Sequence, residues 1–197
     1  MKILAISGSL RASSSNTAML RAAAALAPST IEFTLFEGIG NLPHFNPDID
    51  GETVSPFVTE FRTALRTADG VVFSVPEYAH GVPGVLKNAL DWVVGSGELA
   101  EKPVALFNPS ARGTYAQTSL SETLTVMAAQ LVPEAAVTLQ ALGKPISEDS
   151  ILRDAEMSAK LGNAFNSLSM FGRAMSHGVP INGESDTSPP VASLKSR

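Results

Sequence analysis

Apolar runs alternate with stretches of helical periodicity along most of the chain. Ile3 to Ile6, Ile31 to Phe36, Val71 to Val75, Val104 to Phe107 and Ala136 to Leu139 read as strands, and at least three of them lack polar alternation, the mark of strands covered on both faces. Between them lie amphipathic segments, roughly Thr17 to Ala27, Ser55 to Ala68, Pro83 to Val94 and Gln117 to Leu131, followed by a last one from about Ile151 to Met175. This alternation predicts an α/β fold built on a doubly wound, five-stranded parallel sheet. A central first strand makes the order 2-1-3-4-5. Residues 1–182 are expected to form one domain. The segment 183–197 carries Gly, Ser, Asp and two adjacent prolines without apolar period and is expected to be a disordered C-terminal tail.

Composition narrows the chemistry. The chain of 197 residues is 44% hydrophobic, and its net charge of −5 comes with Lys and Arg scattered rather than clustered, so a nucleic-acid or anionic-membrane partner is not expected. With no cysteine, disulfides, thiolate metal sites and thiol nucleophiles are excluded, and redox chemistry requires a cofactor. The apolar run Ile3 to Ile6 is too short for a signal peptide and no later run reaches the length of a membrane span, which predicts a cytoplasmic location. His44 and His177 are isolated from each other and from carboxylates, so no metal site is expected.

Three loops at strand ends carry most of the polar chemistry, and in an open α/β sheet ligands bind beyond the carboxyl ends of the strands. The first follows Ser7 and offers Ser9, Arg11, Ser13, Ser14, Ser15, Asn16 and Thr17 at the start of a helix. Hydroxyls, amide N–H groups, a helix dipole and one guanidinium converging there suit a phosphate; capping the helix alone needs only one such residue. The loop matches neither a Walker A pattern nor a three-glycine dinucleotide fingerprint. Glu37, at the end of the second strand, reads as a solvated acid. The second loop, Pro76, Glu77, Tyr78, Ala79, His80 and Gly81, continues through Pro83 and Gly84 into a helix. Its prolines restrict the backbone and its glycines permit close approach, so it can aim N–H groups at the heteroatom edge of an isoalloxazine ring, with Tyr78 as a neighbour for the flat face. Lys87 and Asp91, four apart on the helix, read as structural, and Trp92 as core or subunit interface. In the third loop, Ser110 and Arg112 are candidates for the flavin edge or for a nicotinamide nucleotide's phosphate.

The runs GSLRASSSNT (8–17) and PEYAHGVPGVLKNALDW (76–92) resemble the two signatures of the NADPH-dependent FMN reductase family, which includes quinone, azo-dye and chromate reductases, and the likeness spans about residues 1–175. The resemblance implies a flavodoxin-like fold binding FMN non-covalently, in a homodimer or homotetramer. By matching positions, Ser9, Arg11, Ser15, Asn16 and Thr17 would surround the phosphate, and Pro76, Glu77, Tyr78, Ala79, His80 and Gly81 would border the ring. Ala79 stands where many members have Asn, which leaves only backbone contacts there, and Ser15 replaces a frequent aromatic.

The function expected on these grounds is transfer of hydride from NADPH or NADH through FMN to a small acceptor: a quinone, free flavin, azo compound or metal oxyanion. No general base is required, and His80 is the only side chain offered as a catalytic candidate. A non-enzymatic electron carrier and a binding module using the same loop stay open as alternatives.

Overall fold

The computed structural model describes residues 1–51, 54–140 and 145–176. The segment 183–197 expected as a tail, and His177, lie outside the described residues.

Strands β1 (Lys2–Ser7), β2 (Glu32–Phe36), β3 (Gly70–Ser74) and β4 (Pro103–Asn108) run parallel in the order β2-β1-β3-β4, as the alternation predicts. The fifth position differs from the expected single strand at Ala136 to Leu139. Two short strands share it: β5 (Gln130–Leu131) pairs with the start of β4 and β6 (Val137–Thr138) with its end. Pro133, which has no N–H for a ladder, opens the 3-10 turn that separates them.

Helices α1 (Ser15–Leu26), α2 (Pro56–Thr67), α3 (Gly84–Val94) and α4 (Thr114–Val126) connect the strands. Alternate residues of β1 divide the core between two layers. Leu4 and Ile6 pack with Phe61 of α2, Leu86 of α3 and Leu120 of α4 on one face. Ile3 and Ala5 pack with Met19 of α1 and with Ile151 and Phe165 of the last two helices on the other. Each such Leu, Ile, Met or Phe side chain, fully buried, contributes roughly 1.5–3 kcal/mol against exposure.

Two helix boundaries depart from the periodicity. The helix expected to reach Leu131 stops at Val126, because Ala128 takes a left-handed conformation (φ 58°) and Gln130 N–H turns back to the carbonyl of Lys102 at 2.9 Å. The long final helix is two, α5 (Glu148–Arg153) and α6 (Ala155–Ser176). Asp154 divides them: its Oδ1 accepts the N–H groups of Glu156 and Met157, both at 3.0 Å, which starts a new helix rather than continuing the old one. Among the described residues no helix is long and apolar enough to cross a membrane.

Candidate active site

The loops leaving β1 and β3 meet at the carboxyl edge of the sheet. Gly8 N–H donates to Ser74 O at 2.9 Å, and a Cβ on Gly8 would stand 2.9 Å from Cγ1 of Val75, so a residue without a side chain lets the first loop lie on the end of β3. A cleft of about 320 Å³ opens there, with Gly8 to Arg11 on one wall and Tyr78, Pro83, Gly84 and Val85 on the other. A larger cavity of about 620 Å³ lies at the opposite edge, among Met1, Asp69 and Pro103 at or beside the strand starts. In a doubly wound sheet that edge lacks the convergent helix N-termini of the carboxyl side.

Buried hydroxyls and one amide fix the first loop from beneath. Ser7 Oγ and Thr17 Oγ1 share a hydrogen bond of 2.8 Å, and Ser74 Oγ donates to Asn16 Oδ1 at 3.0 Å. Ser14 caps α1, its Oγ accepting Thr17 N–H at 3.3 Å. Asn16 therefore keeps its amide donors, and Ser15, whose Oγ accepts Ile146 N–H at 3.2 Å, keeps its hydroxyl proton. Ser9 Oγ accepts the Arg11 N–H at 3.4 Å. The Arg11 side chain is exposed and has no protein partner among the described residues.

Tyr78 to Gly81 in the second loop form a two-residue hairpin turn closed by Tyr78 N–H to Gly81 O (3.2 Å) and Gly81 N–H to Tyr78 O (2.9 Å). Both central residues, Ala79 (φ 49°) and His80 (φ 60°), are left-handed, as a type I′ turn requires. Their own N–H groups have no partner among the described residues. The turn is fastened to α4 in two places. His80 stacks on Tyr115 with centroids 4.0 Å apart and planes 18° from parallel. Glu77 Oε2 accepts Ala116 N–H at 3.0 Å, which supplies α4 with the cap that its own N-terminal Gly113 cannot give.

Ser110 and Arg112 lie in the third loop, beyond β4. Asn108 Oδ1 accepts Ser110 N–H at 3.0 Å and Ser110 Oγ accepts Arg112 N–H at 3.3 Å. Neither residue lines the 320 Å³ cleft, and the exposed Arg112 side chain has no partner among the described residues.

Several residues that fasten the segment 43–50 beside this edge of the fold were not singled out for that role by the sequence. Asn88 on α3 accepts Phe45 N–H at 2.8 Å and donates to Pro43 O at 2.9 Å, and the indole of Trp92, one turn later, donates to the same carbonyl at 2.8 Å. Trp92 is fully buried, which settles it as core. Arg62 donates to both carboxylate oxygens of Asp50, at 2.9 and 2.8 Å, and to the carbonyl of Trp92 through Nε at 3.0 Å. The Arg62 hydrogen bonds hold the Asp50 carboxyl below its usual value, against a smaller opposing effect of desolvation. The segment 43–50 is thus strapped to α2 and α3. An amide side chain on an otherwise apolar helix face was the available signal for Asn88; Arg62 and Asp50 carried none.

Comparison with known proteins bears on this arrangement. Residues 1–142 match the model of the NADPH-dependent FMN reductase family. An NAD(P)H-dependent FMN reductase of Pseudomonas aeruginosa is 40% identical over 113 residues, 56% of this chain and 60% of that protein. A quinone reductase of Pseudomonas putida is 39% identical over 120 residues, covering 57% and 63%. The alignments thus span somewhat under two thirds of these relatives' length. The flavoenzyme NAD(P)H:(acceptor) oxidoreductase FerB of Paracoccus denitrificans superposes with a TM-score of 0.60 at 25% identity, over 90% of this chain and 94% of that one. An NADH:FMN oxidoreductase in its apo form shares the fold at a TM-score of 0.63 and 22% identity, over 86% and 89%. With the match running through both signature loops and most of the sheet, the chain belongs to the NADPH-dependent FMN reductase family.

Proposed function

We propose that this protein is an NAD(P)H-dependent oxidoreductase that uses non-covalently bound FMN to reduce small acceptors such as quinones, free flavin, azo compounds or metal oxyanions. The observation that carries this reading is the convergence of the β1–α1 loop and the β3–α3 segment, through Tyr78 and Pro83 to Val85, on one cleft. The donor set fits a flavin nucleotide. Among the described residues the Arg11 guanidinium has no partner, Ser15 and Asn16 retain donors, and the turn holds two N–H groups without partners for an edge that wants them.

In this reading Ser9, Arg11, Ser15, Asn16 and Thr17 hold the phosphate. The N–H groups of Ala79 and His80 hold the heteroatom edge of the ring, and Tyr78, 55% exposed at the cleft wall, shields its face. Bound FMN supplies the hydride-accepting and electron-donating chemistry. The protein's part is to bind, orient and polarise. His80 acts as a positioning residue, since its ring is engaged on Tyr115. Ser110 and Arg112, which do not line the cleft, are assigned to the incoming nucleotide, whose phosphate the exposed guanidinium can meet. Residues 1–182 serve as one FMN-binding domain, in a cytoplasmic homodimer or homotetramer whose order sedimentation will give.

Anaerobic titration of FMN-loaded protein with NADPH and then with a quinone tests the proposal. Bleaching of the flavin absorbance followed by its return is expected. Protein that binds FMN but stays yellow with either nicotinamide nucleotide would be an electron carrier, and protein that takes no FMN would refute the cofactor assignment.

A further inference from the structure

Between Gly8 and Thr17 the first loop carries one large apolar side chain, Leu10, and it is 63% exposed. It stands on one wall of the 320 Å³ cleft, with Tyr78, Pro83 and Val85 on the wall opposite. None of the hydrogen-bonding groups assigned to FMN belongs to Leu10, Pro83 or Val85. This part of the cleft offers apolar side chains alone, the lining that suits a hydrocarbon ring.

Behind Leu10 lies Gly40, in the 3-10 turn Gly38–Asn41 that follows β2. A Cβ at Gly40 would stand 3.0 Å from Cδ2 of Leu10, 3.5 Å from Cδ1 and 3.9 Å from Cγ, so the isobutyl group lies flat across the glycine. The backbone does not ask for glycine there: among the described glycines only Gly97 has a positive φ. A glycine without conformational need costs chain entropy, and what it provides here is room for Leu10. The turn cannot retreat from an added side chain. Ile39 is buried in the core layer of Phe61 and Leu86, Leu42 is buried as well, and the carbonyl of Pro43 receives both Asn88 and Trp92. The exposed tip of Leu10 is the part free to move. It borders the cleft on one side and a recess of about 190 Å³ toward β2 on the other, so displacement from Gly40 carries it into the space the two share.

We propose that Leu10 is a specificity-determining residue for the electron acceptor, and that Gly40 is the positioning residue that keeps it withdrawn, leaving the cleft wide enough for an acceptor of two fused rings. The inference rests on the reading of the cleft as the flavin site, since the acceptor must reach the bound ring there. The acceptor's hydrocarbon leaves water against Leu10, Pro83 and Val85. A side chain at position 40 tips Leu10 inward and takes room first from the larger acceptor.

FMN affinity of each variant is measured first, by fluorescence quenching, so that failure of the flavin reading shows before any acceptor is added; wild-type protein that takes no FMN overturns both. A one-ring quinone, 2,6-dimethyl-1,4-benzoquinone, and a two-ring quinone, 2-methyl-1,4-naphthoquinone, are then titrated into oxidised, FMN-loaded protein without reductant. The chain has no cysteine to form thiol adducts with them. Gly40→Val is expected to weaken the two-ring quinone about tenfold, the one-ring quinone by less than about threefold and FMN by less than about twofold. Leu10→Ala combined with Gly40→Val should bind the two-ring quinone as Leu10→Ala alone does, the signature of a valine that acts through Leu10. In turnover, Gly40→Val should raise the ratio of KM for the two-ring quinone to KM for the one-ring quinone, with the rate of flavin bleaching by NADPH unchanged. Gly40→Ala, a smaller perturbation that carries the test should the valine variant not fold, should shift that ratio in the same direction by about two- to threefold. Equal weakening of both quinones, a valine effect that persists without the Leu10 side chain, or loss of FMN in step with loss of quinone overturns the proposal.

Discussion

The hairpin turn at Tyr78 to Gly81 places two residues with side chains in a backbone region that favours glycine and asparagine, and replacing Ala79 isolates that cost. Ala79 is exposed, so its methyl contributes almost no packing, and φ of 49° is the whole of its energetic signature. A left-handed non-glycine residue costs about 1–2 kcal/mol, while glycine adds about 0.5–1 kcal/mol of chain entropy to the unfolded state. Ala79→Gly should therefore stabilise by about 0.5–1 kcal/mol on balance. Ala79→Asn tolerates the conformation without glycine's entropy and should stabilise by about 1 kcal/mol. Ala79→Val, β-branched at positive φ, should destabilise by more than about 1 kcal/mol. Urea unfolding at equilibrium reads all three as midpoint shifts with unchanged slope. A fall in midpoint for both Gly and Asn would refute the reasoning, because it would mean that the turn does not hold Ala79 left-handed in solution.

Four further outcomes follow from the same geometry. Arg11→Ala should weaken FMN binding by about 1.5–3 kcal/mol while leaving riboflavin, which lacks the phosphate, nearly unaffected; equal losses for both ligands in fluorescence-quenching titrations would remove Arg11 from the phosphate. Arg62 lowers the Asp50 pKa, so the pair stabilises the fold above the unfolded carboxyl value and that contribution is lost as pH falls through the folded one. Asp50→Asn should accordingly flatten the acid limb of stability against pH, measured by urea midpoints below about pH 5. Asn88→Ala removes two hydrogen bonds to the 43–45 segment and should cost about 1–3 kcal/mol in the same unfolding assay. Glu77→Ala uncaps α4 and should cost about 0.5–2 kcal/mol, and loss of protection at Ala116 in hydrogen exchange would show where.

Strand order and both signature loops were legible in the sequence because they depend on local signals: unbroken apolar runs mark buried strands, and a cluster of hydroxyls after one of them marks an anion loop. What was not legible depends on partners distant in the chain. Nothing near Glu77 announces that it caps a helix beginning at Thr114, and nothing near Arg62 announces Asp50 and the carbonyl of Trp92. The fifth strand failed for a different reason. Ala136 to Leu139 and the short run around Leu131 and Val132 both offer residues that can pair with β4, and the turn opened by Pro133 gives each half of the edge. The break at Asp154 was visible in principle, as a capping residue inside an amphipathic run, but the periodicity on either side masked it.

The second signature combines two kinds of work, and the structure separates them. Of its early residues Tyr78 lines the cleft, and Ala79 and His80 beside it carry N–H groups with no partner among the described residues. Its later residues, Asn88 and Trp92, never line that cleft; they fasten the 43–45 segment, while Glu77 fastens the first turn of α4. A turn with two left-handed side-chain-bearing residues persists only where its surroundings over-determine it. Here β3 anchors it at one end, α3 begins three residues beyond it at the other, and the His80–Tyr115 stack with the Glu77 cap holds it laterally. Rigid presentation of unpartnered donors lowers the reorganisation that binding a flat, hydrogen-bonding ring would otherwise require. The strain at Ala79 and His80 and the readiness of the cleft are thus two consequences of one arrangement.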